Sequence, residues 1–105
     1  MRVLDNELKN KLIDYEKLLE YGFIRKDGLY LYKTKIHNDE FEIRVVVENN
    51  KITSRLFDLS NEDEYVLVDI KDGFGEFVGK LKEEYENELQ NIITKCTIPN
   101  IFKSE

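Results

Sequence analysis

The chain is poor in the residues that most often announce a function. Among its 105 residues there is one cysteine, one histidine, one proline and no tryptophan. A single cysteine, Cys96, cannot close an internal disulfide, and with His37 alone no Cys/His set for structural zinc exists. Such sparing use of cysteine fits a reducing compartment, so a cytoplasmic location is expected. Long apolar runs are missing too. Val45-Val46-Val47 and Val66-Leu67-Val68 are the longest aliphatic ones, far short of the ~20 residues of a membrane span. No membrane association is expected. Met1-Arg2-Val3-Leu4-Asp5-Asn6-Glu7 has no apolar stretch after it, and no secretory signal is expected. Five glycines and Pro99 form no Gly/Ser linker. The chain therefore reads as one domain over residues 1–98 with a tail over 99–105.

Charge is abundant and uneven. Twenty-two acidic and sixteen basic side chains give a net charge of −6. Residues 25–55 hold seven basic and five acidic groups, whereas residues 56–93 hold three basic and eleven acidic ones. An acidic total weighs against nucleic acid as a partner of this chain alone, because phosphate neutralisation needs clustered Lys and Arg.

The hydrophobic pattern changes period along the chain. Leu8, Leu12, Tyr15 and Leu19 recur with helical spacing, which predicts a helix over 6–21, with Leu4 extending its face backward. Asp5 or Asn6 would cap it, a break near Asp14 is allowed, and Gly22 would end it. The period then drops to two. Leu29 to Ile36, Phe41 to Val47, Lys51 to Asp58 and Glu64 to Ile70 read as four strands. Lys26-Asp27-Gly28, His37-Asn38-Asp39-Glu40 and Asn49-Asn50 supply turn chemistry. Short connections make neighbouring strands antiparallel. After Lys71-Asp72-Gly73, a long helix is predicted from Phe74 to Cys96, with Phe74, Phe77, Val78, Leu81, Tyr85, Leu89 (or Glu88), Ile92 and Cys96 on its buried stripe. Leu12, Phe41, Val45, Phe77, Leu81 and Tyr85 are expected to share one core. The fold class follows: an α+β two-layer sandwich in the order α-β-β-β-β-α, with a four-stranded antiparallel meander and both helices on one face.

Few residues point to chemistry. Gly73-Phe74-Gly75-Glu76-Phe77-Val78-Gly79-Lys80 lies between a strand and a helix, where phosphate loops occur. It has neither the Walker spacing nor G-x-G-x-x-G, and Glu76 would place a carboxylate where phosphate should sit. Gly73 and Gly75 are read as turn residues and Gly79 as a close helix–sheet contact. His37 beside Asn38, Asp39 and Glu40 reads as a solvated turn, since acid–base catalysis also needs a positioned partner. Cys96 falls on the apolar helix stripe and reads as a core residue. Glu83, Glu84, Glu86 and Glu88, with Asp69, Asp72 and Glu76, form an acidic helix–sheet margin. Its oxygens suit a metal or small ligand, but no calcium-loop spacing appears, and a solvated helix face is the simpler account. Tyr30 and Tyr32 with Lys33, Lys35, Arg44 and Arg55 would make a basic, aromatic sheet surface for nucleic acid, but Glu42 and Glu48 interrupt it, and tyrosines at period two more often pack against helices.

Several short segments combine. Tyr21-Gly22-Phe23 follows the first helix, Phe74-Gly75-Glu76-Phe77-Val78-Gly79 precedes Glu84-Tyr85-Glu86, and Cys96 is followed by Ile101-Phe102-Lys103-Ser104-Glu105. Together they resemble the N-terminal domain found ahead of the YjbR-like part in some bacterial MmcQ/YjbR-family proteins. The resemblance implies a CyaY-like (frataxin-like) sandwich and a DNA-binding label that belongs chiefly to the YjbR portion. That portion is not expected within this chain, and no catalytic residue comes with the resemblance.

The resulting expectation is a non-catalytic bacterial accessory or protein-interaction module, without a cofactor or a bound metal. An unidentified protein partner is expected, and the chain itself is expected to be a monomer or weak homodimer. The alternatives are a nucleic-acid-binding module using Lys33, Lys35, Arg44 and Arg55, and ligand or metal binding at the acidic margin.

Overall fold

The computed structural model of the chain describes residues 2–4, 8, 11–60, 62–64 and 75–99. Its elements are β1 (Arg2–Val3), β2 (Lys11–Ile13), α1 (Tyr15–Tyr21), β3 (Ile24–Lys26), β4 (Leu29–Ile36), β5 (Phe41–Glu48), β6 (Lys51–Asp58), β7 (Asp63–Glu64), α2 (Gly75–Cys96) and β8 (Thr97–Pro99).

Strands β3 to β6 form the antiparallel meander, with β1 and β7 both paired to β6. Its turns follow from residue chemistry. Asp27 and Gly28 both take positive φ, as do Asn49 and Asn50. This is the type I′ pattern that matches strand twist in two-residue hairpins. Asn50 has a second role. Its Oδ1 accepts from the Ile13 amide at 2.9 Å, and its own amide donates to the Tyr15 hydroxyl at 3.0 Å.

Period-2 alternation sorts the sheet into two faces. Phe41, Ile43, Val45 and Val47 of β5 and Ile52, Ser54 and Leu56 of β6 are buried on one of them. By register, Tyr30, Tyr32, Thr34 and Ile36 share that face. Both helices cover it. Leu81, Tyr85, Leu89, Ile92, Ile93 and Cys96 of α2 join Leu18 of α1 in the same core. The two-layer α+β arrangement and the four-stranded meander agree with the sequence pattern.

Details differ from the expected boundaries. The meander begins one strand earlier, at Ile24–Lys26. Of the strand expected at 64–70, Glu64 pairs with Phe57, and the remainder lies outside the described residues. The first helix is only seven residues long. Asp14, the position of the expected break, caps it: its Oδ1 accepts from the amides of Glu16 and Lys17 at 3.1 and 3.3 Å. The proposed caps Asp5 and Asn6 lie outside the described residues. Lys11–Ile13 is extended because it pairs with Thr97–Pro99, and the Asp14 amide donates to the Cys96 carbonyl at 2.8 Å. Those partners are over eighty residues away, beyond any local periodicity. The helix therefore turns a different face inward. Leu18 is fully buried, Leu19 is 48% exposed, and Leu12 is only half-buried. Of the six residues expected to share a core, Phe41, Val45, Leu81 and Tyr85 do; the side chain of Phe77 lies outside the described residues.

Gly79 also departs from expectation. It is exposed, and a Cβ there would meet nothing within 4 Å. It permits no close packing. Gly22 is the tight position: its φ is +127°, and a Cβ would lie 3.2 Å from the Tyr32 ring.

Candidate functional site on the open sheet face

Alternation sends the remaining side chains of β4, β5 and β6 to the face opposite the helices. Strand register arranges them in rows. Lys33 lies opposite Arg44, and Arg44 opposite Arg55, so three cations cross three strands in line. On one side of this row Leu31, Val46 and Thr53 are aligned, with Ile24 of β3 opposite Leu31 and 68% exposed. On the other side Lys35, Glu42 and Phe57 are aligned. All four basic residues singled out from the sequence thus share one face, and all four are exposed.

Like charges directly opposite one another destabilise a sheet pair. Here neighbouring groups offset the repulsion. Arg44 Nε donates to Glu42 Oε1 at 2.6 Å, and the guanidinium carbon lies 3.9 Å from the centre of the Phe57 ring. Arg55 Nε lies 4.0 Å from Glu64 Oε2. Arg44 is therefore held flat against the sheet, stacked on an aromatic and tied to a buried carboxylate. Lys33 projects beside it. Two shallow depressions flank Arg44: one of about 810 Å³ toward Ile24, Lys26, Leu31 and Lys33, and one of about 380 Å³ toward Thr53, Arg55 and Phe57.

The tyrosines of the nucleic-acid reading are not on this surface. Tyr30 and Tyr32 face the helices, because they alternate with Leu31 and Lys33. Tyr32 stacks on Phe23 at 4.9 Å and meets Tyr21 edge-on at 5.2 Å. Among the described residues of β4, β5 and β6, the aromatic on the open face is Phe57. Its position two residues after Arg55 in one strand was the available signal. Glu42 interrupts the basic group as expected. Glu48 closes the end of β5 opposite Lys51.

Other candidates are absorbed by structure. His37 takes φ +58° in a turn where Asn38 and Asp39 are also left-handed. Its amide donates to Glu84 Oε1 at 2.8 Å and its Nδ1 lies 3.3 Å from Glu84 Oε2. The turn is thereby clamped to α2. Glu88 Oε2 accepts from the hydroxyls of Tyr21 and Tyr32 at 2.8 and 3.3 Å. Burial, reinforced by the Glu88 charge, raises both phenols above their ordinary value. Cys96 is fully buried, and burial followed by the Asp14 charge pushes its thiol up to about 11. That is the opposite of an activated nucleophile. Asp69, Asp72 and Gly73 lie outside the described residues, as does the side chain of Glu76. Among the described residues no three His, Cys, Asp or Glu groups converge to hold a metal, and no helix is long and apolar enough to cross a membrane.

No family model matches the chain, and no curated protein or solved structure matches it either.

Proposed function

We propose that the chain is a non-catalytic interaction module, an accessory domain of a bacterial cytoplasmic protein, that binds a protein partner through the open sheet face. One observation carries this reading: the in-register row Lys33–Arg44–Arg55, bordered by Leu31, Val46 and Ile24. An apolar strip, half-buried at Leu31 and Val46 and exposed at Ile24, with ordered cations beside it suits a partner that offers apolar side chains flanked by carboxylates. Arg44 is the natural centre, since it is fixed before a partner arrives and little side-chain entropy is lost on docking. The resemblance to the N-terminal domain of MmcQ/YjbR-family proteins is in keeping with an accessory role.

The test is site-specific photo-crosslinking. A benzophenone side chain at Val46 should give a discrete adduct with a protein of the source cell. A second one at Glu83, on the exposed side of α2, should not. Adding Arg44→Glu should abolish the adduct at position 46. Equal labelling from both positions, or insensitivity to Arg44→Glu, would sink this reading.

A nucleic-acid module is the second reading, favoured by the alignment of three cations beside Phe57. Glu42 and Glu64 weigh against it, because each offsets one of the arginines. Binding of labelled duplex and single-stranded oligonucleotides at about 50 and 200 mM salt separates the two. A submicromolar constant at the higher salt, weakened by Arg44→Ala or Arg55→Ala, would promote nucleic acid. The acidic margin has less behind it, since Glu84 and Glu88 already accept hydrogen bonds from His37 and the two tyrosines.

A further inference from the structure

The meander ends unevenly. β3 has three residues and β4 has eight, and β3 pairs only with Leu29, Tyr30 and Leu31. From Lys33 to Ile36 the outer edge of β4 has no strand beside it among the described residues. The chain does not continue β3 in the backward direction: the Phe23 amide donates to the Leu18 carbonyl at 3.0 Å, and Gly22 turns away at φ +127°.

Hairpin geometry says which backbone groups face that edge. Lys26 and Leu29 flank a two-residue turn, so they are a hydrogen-bonded pair. Alternation then points the N–H and C=O of Leu31, Lys33 and Lys35 outward, and those of Tyr32 and Thr34 toward β5. His37 is next in the outward series, and its amide donates outward to Glu84. Lys33 and Lys35 thus present ladder groups at a strand edge, with their side chains on the open face.

We propose that this edge of β4 accepts an extended acidic segment of the partner, which adds as an antiparallel strand where β3 stops. This rests on reading the chain as a protein-interaction module and specifies the partner's chemistry. Charge complementarity selects the occupant. In an antiparallel pair, residues directly opposite share a face, so the partner residues facing Lys33 and Lys35 lie on the open face beside two lysines. Carboxylates fit there. A second copy of this chain does not: a two-fold pairing of β4 with itself brings Lys33 and Lys35 against their own counterparts, the arrangement by which edge lysines block self-association. The alternate partner residues face Thr34 and the half-buried Ile36 and suit small apolar side chains; the place opposite Tyr32 is held by Phe23, which stacks on it. The mode is strand addition, with affinity from main-chain bonds and selectivity from alternate side chains.

The probe is a fluorescein-labelled, end-blocked peptide of alternating Glu and Val, eight residues long like β4, titrated into the full chain. Saturable binding is expected. Glu residues opposite Lys33 and Lys35 turn their amides toward β4, so N-methylation of the Glu amides should abolish binding, and N-methylation of the Val amides should leave it intact. Lys33→Glu with Lys35→Glu should weaken binding about tenfold or more, as like charges in register cost at least 1.4 kcal/mol. The peptide arm leaves the protein unaltered, so misfolding cannot produce its result. Absence of saturable binding, equal tolerance of both methylated peptides, or sedimentation showing a dimer that Lys33→Glu disrupts would each overturn strand addition. The crosslink from Val46 reads out separately: an adduct there, with an edge indifferent to N-methylation, means that the partner lies flat on the face and that only the edge assignment is wrong.

Discussion

The Ser54 hydroxyl, at the centre of the sheet, lies 2.6 Å from the Tyr85 hydroxyl on the long helix, and both residues are buried. This hydrogen bond ties α2 to β6 within a largely apolar core. Removing one partner of a buried hydrogen bond costs more than removing both. We expect Tyr85→Phe to destabilise by about 1–3 kcal/mol. Ser54→Ala should cost clearly less in the Tyr85→Phe background than in the parent. A double-mutant cycle by denaturant unfolding measures the difference; additive losses would show that the two hydroxyls are not coupled.

Neighbouring leucines of α1 provide a sharper test of helix register. Leu18 is fully buried and Leu19 is 48% exposed. Leu18→Ala should cost about 2–5 kcal/mol through lost burial and a residual cavity. Leu19→Ala should stay within about 0.5 kcal/mol, as exposed substitutions do. The reverse order would restore the longer helix with Leu12 and Leu19 inward.

Gly79 predicts a gain. It sits inside α2, exposed, with space around an added Cβ. Alanine at a helix-interior glycine removes backbone entropy from the unfolded chain, so Gly79→Ala should stabilise by about 0.5–1 kcal/mol. Gly22→Ala should destabilise, because it combines positive φ with contact against Tyr32. Thermal unfolding of the two variants should move in opposite directions.

Stability should fall at alkaline pH. The folded chain holds the Cys96 proton up to about 11, whereas the unfolded thiol releases it near its ordinary 9.0. Tyr21 and Tyr32 act in the same sense above 10.0, first through burial and then through Glu88. All three folded values are raised. Their effect on stability is therefore absent below about pH 9 and grows as pH rises, because the unfolded state loses protons that the native state keeps. Denaturant midpoints followed from neutral to alkaline pH should decline first through Cys96 and then more steeply. Cys96→Ala should flatten the first part and Tyr21→Phe the second.

Much of the fold is legible in the residues themselves. The β4, β5 and β6 alternation, the Asn49-Asn50 turn and the amphipathic stripe of α2 are local patterns, set by the period of side-chain direction in each element. The same alternation places Lys33, Lys35, Arg44 and Arg55 on one face, because they occupy equivalent phases of three successive strands. Three things were not local. Lys11–Ile13 is a strand only because Thr97–Pro99 lies beside it. The orientation of α1 follows from that pairing and from the Asp14 cap, so Leu18 rather than Leu19 enters the core. The choice of face also needs tertiary packing: alternation sets Tyr30 and Tyr32 against Lys33 and Lys35, and the helices decide which pair is covered. Period two separates two faces without naming the buried one. That decision belongs to whatever packs against the sheet, and here it is α2, through Tyr85, Glu84 and Glu88, that claims the tyrosine face and leaves the lysine and arginine row in water.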